Sequence, residues 1–448
     1  MERLLEGLVR WGIRGLSHGF IALGRLLYKL EIQGLEHMPT TGPAIFTCRH
    51  NSGLDIFFAA LILRGKERAV GVTGVVTVNR VRAWLGRYLG MMPLFREQGL
   101  SAVSLMRLHK ALQQGGIVFI ADNEIPWDGR LQPPRSGVAW CALHTGVPVV
   151  AAVLNGGYRV APRWAKRIPL RGKLVLRIGK PFHLGDAPCA RVTDEMLERA
   201  NRRFIEEIQA LSDPLLIDEE YPRCKGLPSL LWQCPLCHRD EALSHQMGWR
   251  EPAQVRCRYC GTVWVVERFR DDDYHLRVVQ GDPAVLGQQR PLAAWYDLMK
   301  SGLRLVAQED AAVGLGAGEE LYVRSGEAWL EVEPDNPLLH QWDGENAPWD
   351  QPARSQAETL MKRCDRGRLF LTSKRFIWVG KRGRLTFSLT RLKSAHLHTI
   401  LFFGFLYGLR RYRFAFREDS LLKWLTYTAL VARRVEQNEG HHIGTTNY

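Results

Sequence analysis

Residues 44–63 read AIFTCRHNSGLDIFFAALIL: a short apolar run, a polar loop and a longer apolar run. The first run has the length and the Ile, Phe and Thr content of a buried strand, and the second is long enough for a helix. The stretch therefore predicts a strand, a loop and a helix in that order. The polar side chains of the loop should lie at the exposed end of the strand.

The same alternation continues as far as residue 182. Short β-like runs (GIVFIA, 116–121; VPVVAAVL, 147–154; KLVLRIG, 173–179) alternate with helical stretches at 100–113 and 137–144. A further helix is predicted over 194–211, with Thr193 as its cap, and Asp213-Pro214 then marks an exit. We therefore predict a layered α/β domain over residues 30–215.

The loop contains the pattern RHNSGLD (49–55), in which His50 precedes Asp55. At this separation a carboxylate can reach an imidazole nitrogen, fix its tautomer and stabilise the imidazolium that forms on proton transfer. His50 could then act as a general base on an acceptor hydroxyl. Two other interpretations stay open: a buried core histidine, and Ser52 as a nucleophile, although no G-x-S-x-G elbow surrounds that serine.

This stretch resembles the bacterial lysophosphatidic acid acyltransferases, which are glycerolipid acyltransferases with an N-H-x4-D motif. The resemblance includes LEIQG (30–34) and GPAIF (42–46), and Arg49 stands where the family usually has Asn. GMMPLFR (90–96) is similar to the second family motif, whose arginine contacts the acceptor phosphate. The resemblance therefore assigns that role to Arg96, and a guanidinium suits it because it binds phosphate oxygens bidentately.

The third family motif, FPEGTR ahead of a DGRL turn, is altered in this chain. Counting back from DGRL (128–131) places Asp122 at the Glu position, while Asn123 and Ile125 replace the Gly and the Arg. The resemblance implies an acceptor contact by Asp122, or by Glu124 if the loop slips by two residues. A structural acidic turn is the alternative.

The later family motifs are also present. Arg135 stands where the family has a basic residue before Gly, so the resemblance makes it a further candidate acceptor contact. TGVPVV (145–150) resembles the fourth motif, and LRIGKPF (176–182) is similar to the closing strand and turn. The resemblance covers the first 200 residues or so, about the size of a single domain.

The resemblance implies transfer of a fatty acyl group from acyl-CoA or acyl-carrier protein to the hydroxyl of a lysophospholipid-like acceptor, with 1-acyl-glycerol-3-phosphate as the default. His50 would be the base and Asp55 its orienting partner, without a covalent enzyme intermediate. The alternative is a catalytically degenerate scaffold that binds lipid, which the altered third motif favours and the intact His50 and Asp55 oppose.

Four of the nine cysteines form two Cys-x2-Cys pairs, Cys234 with Cys237 and Cys257 with Cys260. Two such pairs predict a connector and a zinc ribbon over residues 216–268, in which four thiolates hold a structural Zn²⁺. A closed shell of four sulfurs leaves no position for activated water, and His238 and His245 remain spare ligand candidates. Such ribbons serve as contact modules, so a protein partner is one expectation for this unit.

Residues 269–318 are predicted to be a linker with one helix over 291–301. From residue 319, six short alternating runs and a helix over 421–436 predict a β module, and GRLFLTSKRFIW (367–378) resembles pleckstrin-homology-like (PH-like) domains. The run ILFFGFLY (400–407), with arginines at 410, 411 and 413, fits either an apolar lipid-binding tip or a buried hairpin. Residues 437–448 are predicted to be disordered.

The chain is basic, with 61 Lys and Arg against 46 Asp and Glu and a net charge of +15. Such a charge attracts anionic lipid or nucleic acid, and we expect the lipid surface and not nucleic acid to be the partner. Residues 1–29 carry apolar positions interrupted by arginines, which predicts a helix lying in a membrane interface and not spanning it. A first helix packed on its own domain is the alternative. The expected location is cytoplasmic, peripheral on the inner face of the plasma membrane.

Overall fold

The computed structural model describes residues 17–63, 69–73, 91–93, 102–121, 125–134, 137–186, 188–213, 222–247, 252–269, 271–311, 313–333, 361–398, 402–408, 410–440 and 442–445. Three β-sheets follow one another along these ranges.

The first sheet is mixed and has seven strands. They are β1 (Glu31–Gln33), β2 (Ala44–Cys48), β3 (Ala69–Thr73), β4 (Met91–Pro93), β5 (Ile117–Ala121), β6 (Val149–Asn155) and β7 (Val175–Ile178). Their order is β1-β7-β6-β2-β5-β3-β4, and β6 with β7 is the antiparallel pair among them. Because β2, β5, β3 and β4 run parallel, their carboxyl ends meet at one edge of the sheet.

Helices cover both faces of this sheet. They are α1 (Gly53–Leu63), α2 (Ala102–Gln113), α3 (Gly137–Thr145), α4 (Gly157–Val160) and α5 (Asp194–Leu211), and residues 17–28 are also helical. Ile45 packs with residues of α2, α3 and α5 on one face, and Phe46 packs with residues of α1 on the other. The mixed α/β class predicted from the alternating pattern is therefore confirmed. Among the helices of the described ranges, none combines the length and hydropathy needed to cross a bilayer.

The second sheet is an antiparallel meander of β8 (Leu243–Gln246), β9 (Gln254–Cys257), β10 (Val263–Val266), β11 (His275–Gln280) and β12 (Gln289–Pro291). Helix α6 (Leu292–Ser301) follows directly. The expectation of a linker over 269–318 is wrong where β11 and β12 lie, since Leu276 and Val278 are buried and give β11 an apolar face. We call residues 222–301 the four-cysteine unit.

The third sheet contains β13 (Leu321–Arg324), β14 (Ala328–Val332), β15 (Lys362–Thr372), β16 (Arg375–Gly380), β17 (Gly383–Ser388), β18 (Leu392–His398), β19 (Phe402–Tyr407), β20 (Arg410–Phe416) and β21 (Gly444–Thr445), with helix α7 (Leu421–Glu439) between the last two. The six predicted strands are present, and β18, β19 and β21 were not among them. Phe403 and Phe405 are buried, and Arg413 forms an ion pair with Glu331. The buried-hairpin interpretation therefore holds for residues 402–407, and the apolar tip does not.

The end of the chain differs from the expectation of disorder after residue 436. Helix α7 continues to Glu439 and closes at Gly440, which takes the left-handed conformation with φ 68°. Ile443 is buried, and Gly444–Thr445 pair in parallel with β18. The prediction failed because a single apolar side chain, Ile443, anchors a segment whose composition is otherwise polar.

The four-cysteine unit shares one continuous apolar core with its neighbours. That core contains Trp127, Tyr158 and Trp164 from the first domain, and it extends into the third sheet and α7. A polar contact reinforces the junction between the four-cysteine unit and α7, where Tyr427 of α7 donates to Asp240 at 2.8 Å. Two junctions therefore hold the four-cysteine unit between the other parts of the chain.

Candidate active site and four-cysteine site

His50 and Asp55 meet at the carboxyl end of β2. The distance from His50 Nδ1 to Asp55 Oδ1 is 2.8 Å. Asp55 is fully buried, whereas the His50 side chain keeps 15% of its surface exposed. A carboxylate only accepts hydrogen bonds, so Nδ1 carries the proton and Nε2 is the basic nitrogen.

Backbone groups fix the carboxylate of Asp55. Its Oδ2 accepts from the backbone N–H groups of Asn51 and Ser52, both at 2.7 Å, and its Oδ1 accepts from Ile56 N at 2.5 Å. The carboxylate also lies in the first turn of α1, where the helix dipole favours negative charge. Asp55 is therefore held in one orientation against the imidazole.

Ser52 is the N-cap of α1. Its Oγ accepts from Leu54 N at 3.3 Å, while Asp55, at the third helical position, accepts from the backbone of Ser52. Ser52 thus caps the second helical N–H, and the return bond from Asp55 is the one found in a capping box. Since Ser52 is fully buried, the structure does not support the interpretation of Ser52 as a nucleophile. The S-x-x-D spacing is a recognised sequence signature that could have identified this role.

The loop of residues 49–52, which we call the His50 loop, lies against the start of α4. A Cβ added to Gly157 would come within 2.9 Å of both Asn51 Oδ1 and Ser52 Oγ. The preceding Gly156 has φ 81°, a left-handed conformation that glycine adopts without strain. Two glycines thus allow the α4 backbone to touch the His50 loop directly.

The four predicted acceptor contacts, Arg96, Asp122, Glu124 and Arg135, lie outside the described residues. The strands that lead to the first three are described. Ala121, the last residue of β5, pairs with Cys48 of β2, and β4 ends at Pro93 on the same edge. The sheet therefore places the residue before Asp122 beside the strand end that carries His50.

The DGRL turn that follows residues 122–124 is tied to α6. Arg130 donates to Asp128 Oδ2 through Nε at 2.8 Å and to both carboxylate oxygens of Asp297 at 2.8 and 2.9 Å. Asp297 was not predicted from the sequence, because no local pattern relates a carboxylate on α6 to this turn. The pairing shows that α6 contacts the chain next to the predicted acceptor loop.

The sulfur atoms of Cys234, Cys237, Cys257 and Cys260 all lie within 4.8 Å of one another. The Sγ–Sγ distance is 3.8 Å for Cys234 and Cys260 and 3.7 Å for Cys237 and Cys257. A tetrahedron with zinc–sulfur bonds of about 2.3 Å has sulfur–sulfur edges of about 3.8 Å. No disulfide joins these cysteines, so the four thiols fit a single tetrahedral metal ion.

His245, a spare ligand candidate, has a different role. Its Nδ1 accepts from the backbone N–H groups of Gly226 and Leu227 at 3.2 and 3.4 Å. Burial, together with the charge of Lys225, lowers its pKa to about 4. His245 is therefore a neutral core histidine that satisfies two backbone donors.

Known acyltransferases are similar to the first part of this chain. Residues 29–155 match the family model described as Acyltransferase. The chloroplastic 1-acyl-sn-glycerol-3-phosphate acyltransferase BAT2 of Brassica napus is 31% identical over 179 residues, which cover 39% of this chain and 52% of that protein. The chloroplastic 1-acyl-sn-glycerol-3-phosphate acyltransferase LPAT1 of Arabidopsis thaliana is 32% identical over 177 residues, which cover 38% of this chain and 49% of that protein.

The chain spans about half the length of these two curated relatives. The crystal structure of the 1-acyl-sn-glycerophosphate (LPA) acyltransferase PlsC from Thermotoga maritima matches with 21% identity and a TM-score of 0.34, covering 47% of this chain and 84% of that chain.

Proposed function

We propose, from the match of residues 29–155 to the acyltransferase family model, that the protein transfers a fatty acyl group from a thioester to a lipid hydroxyl. The acceptor we propose is a lysophospholipid, with 1-acyl-sn-glycerol-3-phosphate first, because both plant relatives carry that name. The donor is acyl-CoA or acyl-carrier protein.

The observation that carries the proposal is the 2.8 Å contact between His50 Nδ1 and the buried carboxylate of Asp55. It leaves Nε2 as the base that takes the proton from the acceptor hydroxyl. The alkoxide oxygen then forms a bond with the thioester carbonyl carbon. When the tetrahedral intermediate collapses, the carbon–sulfur bond breaks and His50 returns the proton to the departing thiolate. Asp55 stabilises the imidazolium between these two steps.

An anionic acceptor needs cationic contacts, and Arg96 is the residue we propose for its phosphate. Arg135 is a second candidate, and Asp122 or Glu124 would bind acceptor hydroxyls. The strand topology supports this set, since β4 and β5 end at the same sheet edge as β2. The exchange of the family's Gly and Arg for Asn123 and Ile125 allows an acceptor other than a glycerol-3-phosphate ester.

Exposed apolar side chains beside the site support docking on a lipid surface. Leu26 is 78% exposed on helical residues 17–28, and Leu23 and Phe20 on the same helix are also exposed. The ring of Phe20 lies 5.7 Å from that of Phe57, an exposed residue of α1, the helix that carries Asp55. We propose that this surface, with the net charge of +15, docks the protein on the cytoplasmic face of the plasma membrane.

The four cysteines are proposed to hold Zn²⁺ as a structural ion, which cross-links the two turns of the four-cysteine unit. All four ligand positions are then protein sulfurs, so the ion takes no part in acyl transfer. A protein partner for this unit stays a prediction, as does the PH-like assignment of the third sheet.

An acyl-transfer assay with the purified, zinc-loaded protein tests the proposal. The donor is radiolabelled acyl-CoA or acyl-carrier protein, and the acceptors are a panel of lysophospholipids and other lipid alcohols. His50→Ala should lower transfer by about 10²-fold or more, because it removes the base. His183→Ala is the matched control, since His183 is an exposed histidine distant in sequence from the His50 loop. The wild-type protein's preferred acceptor identifies the substrate.

The alternative function, a lipid-binding scaffold, predicts different results in the same assay. Wild type and His50→Ala would then bind lysophospholipid vesicles equally, and neither would transfer acyl groups to any member of the panel. Transfer that His50→Ala leaves unchanged would reject the proposed base.

A further inference from the structure

Helix α4 lies between the His50 loop and the four-cysteine unit. On one side its first residue, Gly157, faces the side chains of Asn51 and Ser52, since a Cβ added there would come within 2.9 Å of Asn51 Oδ1 and Ser52 Oγ. These two residues donate the N–H bonds that hold Asp55 Oδ2. A shift of α4 is therefore transmitted to the carboxylate that orients His50, because the buried side chains that face Gly157 belong to the two residues whose N–H groups hold that carboxylate.

On the other side α4 meets residues 271–274, which we call the 271–274 loop. Tyr274 is fully buried, and its hydroxyl donates to the backbone carbonyl of Arg159 at 2.7 Å. Its ring packs edge-on against Tyr158 at 5.8 Å between centroids and against Trp164 at 4.9 Å. Tyr274 thus contacts both the backbone and the aromatic neighbours of α4.

Asp272 adds an electrostatic contact to the same helix. Its Oδ1 lies 3.1 Å from Nε of Arg159, whose side chain is only 3% exposed. A buried guanidinium requires a partner of opposite charge, so this ion pair fixes the orientation of α4.

Helix α4 depends on such external contacts, because its four residues, Gly157–Val160, form little more than one turn. One turn is not stable alone, since helix nucleation is unfavourable and tertiary packing must supply the stability. The position of α4 is therefore set by what packs against it. On the side away from the His50 loop, the 271–274 loop supplies the ion pair and the tyrosine hydrogen bond.

We infer that Asp272 and Tyr274 are positioning residues for the acyl transfer, through which the four-cysteine unit holds α4 and the His50 loop in their working geometry. This inference rests on the proposed function for its kinetic consequence. Displacements of about 1 Å in a catalytic group can lower a rate by about 10²-fold, so a remote contact of this kind can affect kcat.

The test uses Tyr274→Phe in the full-length, zinc-loaded protein, with Tyr427→Phe as its matched control. Both substitutions remove one hydroxyl from a buried tyrosine, and Tyr427 donates at 2.8 Å to Asp240 at the other junction, far along the chain from α4. Both should lower the melting temperature by a few degrees, because each leaves a buried acceptor without its donor. Only Tyr274→Phe should lower kcat, by about tenfold, with KM for donor and acceptor nearly unchanged.

Amide hydrogen exchange of Asn51 and Ser52 gives a second readout that needs no activity. Exchange at these two amides should be faster in Tyr274→Phe and in Asp272→Asn, and equal to wild type in Tyr427→Phe. If wild type transfers no acyl group but exchange still rises in Tyr274→Phe, the proposed function fails and the positioning role stands.

Two results would overturn the inference. One is a Tyr274→Phe protein with wild-type kcat and wild-type exchange at Asn51 and Ser52. The other is an equal loss of kcat in Tyr274→Phe and Tyr427→Phe, since this would show that lowered stability alone affects the rate.

Discussion

Arg130 donates parallel hydrogen bonds to both carboxylate oxygens of Asp297, although the two residues are 167 positions apart. These bonds raise the pKa of Arg130 and lower that of Asp297. The side chains are 44% and 47% exposed, so water screens their attraction. The contact therefore contributes more to the position of the DGRL turn than to stability.

Asp297→Asn should raise the KM for the acceptor several-fold, with a smaller effect on kcat, because the DGRL turn follows residues 122–124. The free energy of unfolding should change by no more than about 1 kcal/mol, as for other exposed ion pairs. Steady-state kinetics with varied acceptor and urea denaturation measure the two quantities. Glu267→Gln, which breaks the Arg277 ion pair in the same unit, should leave the acceptor KM unchanged. An unchanged acceptor KM in Asp297→Asn would disprove the link to acceptor binding.

Ser52→Ala should lower the free energy of unfolding by about 1 kcal/mol, because α1 loses its N-cap. Since Ser52 is not a nucleophile in the proposed mechanism, kcat should stay within about tenfold of wild type. Thermal unfolding and kcat of the variant measure the two effects. A Ser52→Ala protein without detectable transfer, but with native stability, would instead favour the serine as nucleophile.

Asp55→Asn keeps the size of the side chain but removes the charge that stabilises the imidazolium, so kcat should fall by about 10²-fold to 10⁴-fold. Thermal unfolding and kcat are measured on this variant as well.

Zinc removal should destabilise the four-cysteine unit, because metal binding by four thiolates is coupled to folding. Cys257→Ser should lose the bound zinc, lower the melting temperature and increase amide exchange at the His50 loop. Cys364→Ser, at a partly exposed cysteine outside the cluster, should do none of these. Elemental analysis of the wild-type protein should give one zinc per chain. A protein that is fully folded and free of zinc would contradict the assignment.

The local patterns in the sequence predicted the first domain well. AIFTC and GIVFIA became β2 and β5, and the Thr193 cap of α5 formed as expected, with Thr193 accepting from Met196 N. His50 and Asp55 were paired correctly because both lie within one loop and the first turn of the next helix. Their catalytic roles remain predictions.

What the sequence missed depends on contacts between distant segments. β11 and β12 are too short to be recognised alone: β11 is buried through Leu276 and Val278 in the continuous apolar core, and β12 is held by pairing with β11. Asp297 and Tyr274 look like ordinary helix and loop residues until the fold brings them to Arg130 and α4. Periodicity reports which face of an element is apolar, and it carries no information about which element covers that face.

His245 should make the protein less stable as the pH falls. Its pKa in the folded protein is lowered to about 4 from 6.5, so between these two pH values the unfolded chain binds a proton that the folded chain does not bind. The stabilisation from neutral His245 is fully present above pH 6.5 and is lost progressively as the pH falls from 6.5 to about 4. The upper limit of this loss in the free energy of unfolding is about 3 kcal/mol.

His245→Asn removes this titration while keeping an acceptor for the backbone of Gly226 and Leu227. Denaturation of wild type and variant between pH 7 and pH 4 should therefore show a smaller loss of stability in the variant. His183→Asn, at an exposed histidine, should follow the wild-type curve. Parallel curves for wild type and His245→Asn would show that protonation of His245 does not limit the acid stability of the four-cysteine unit, because the groups common to both proteins would then account for all of the pH dependence.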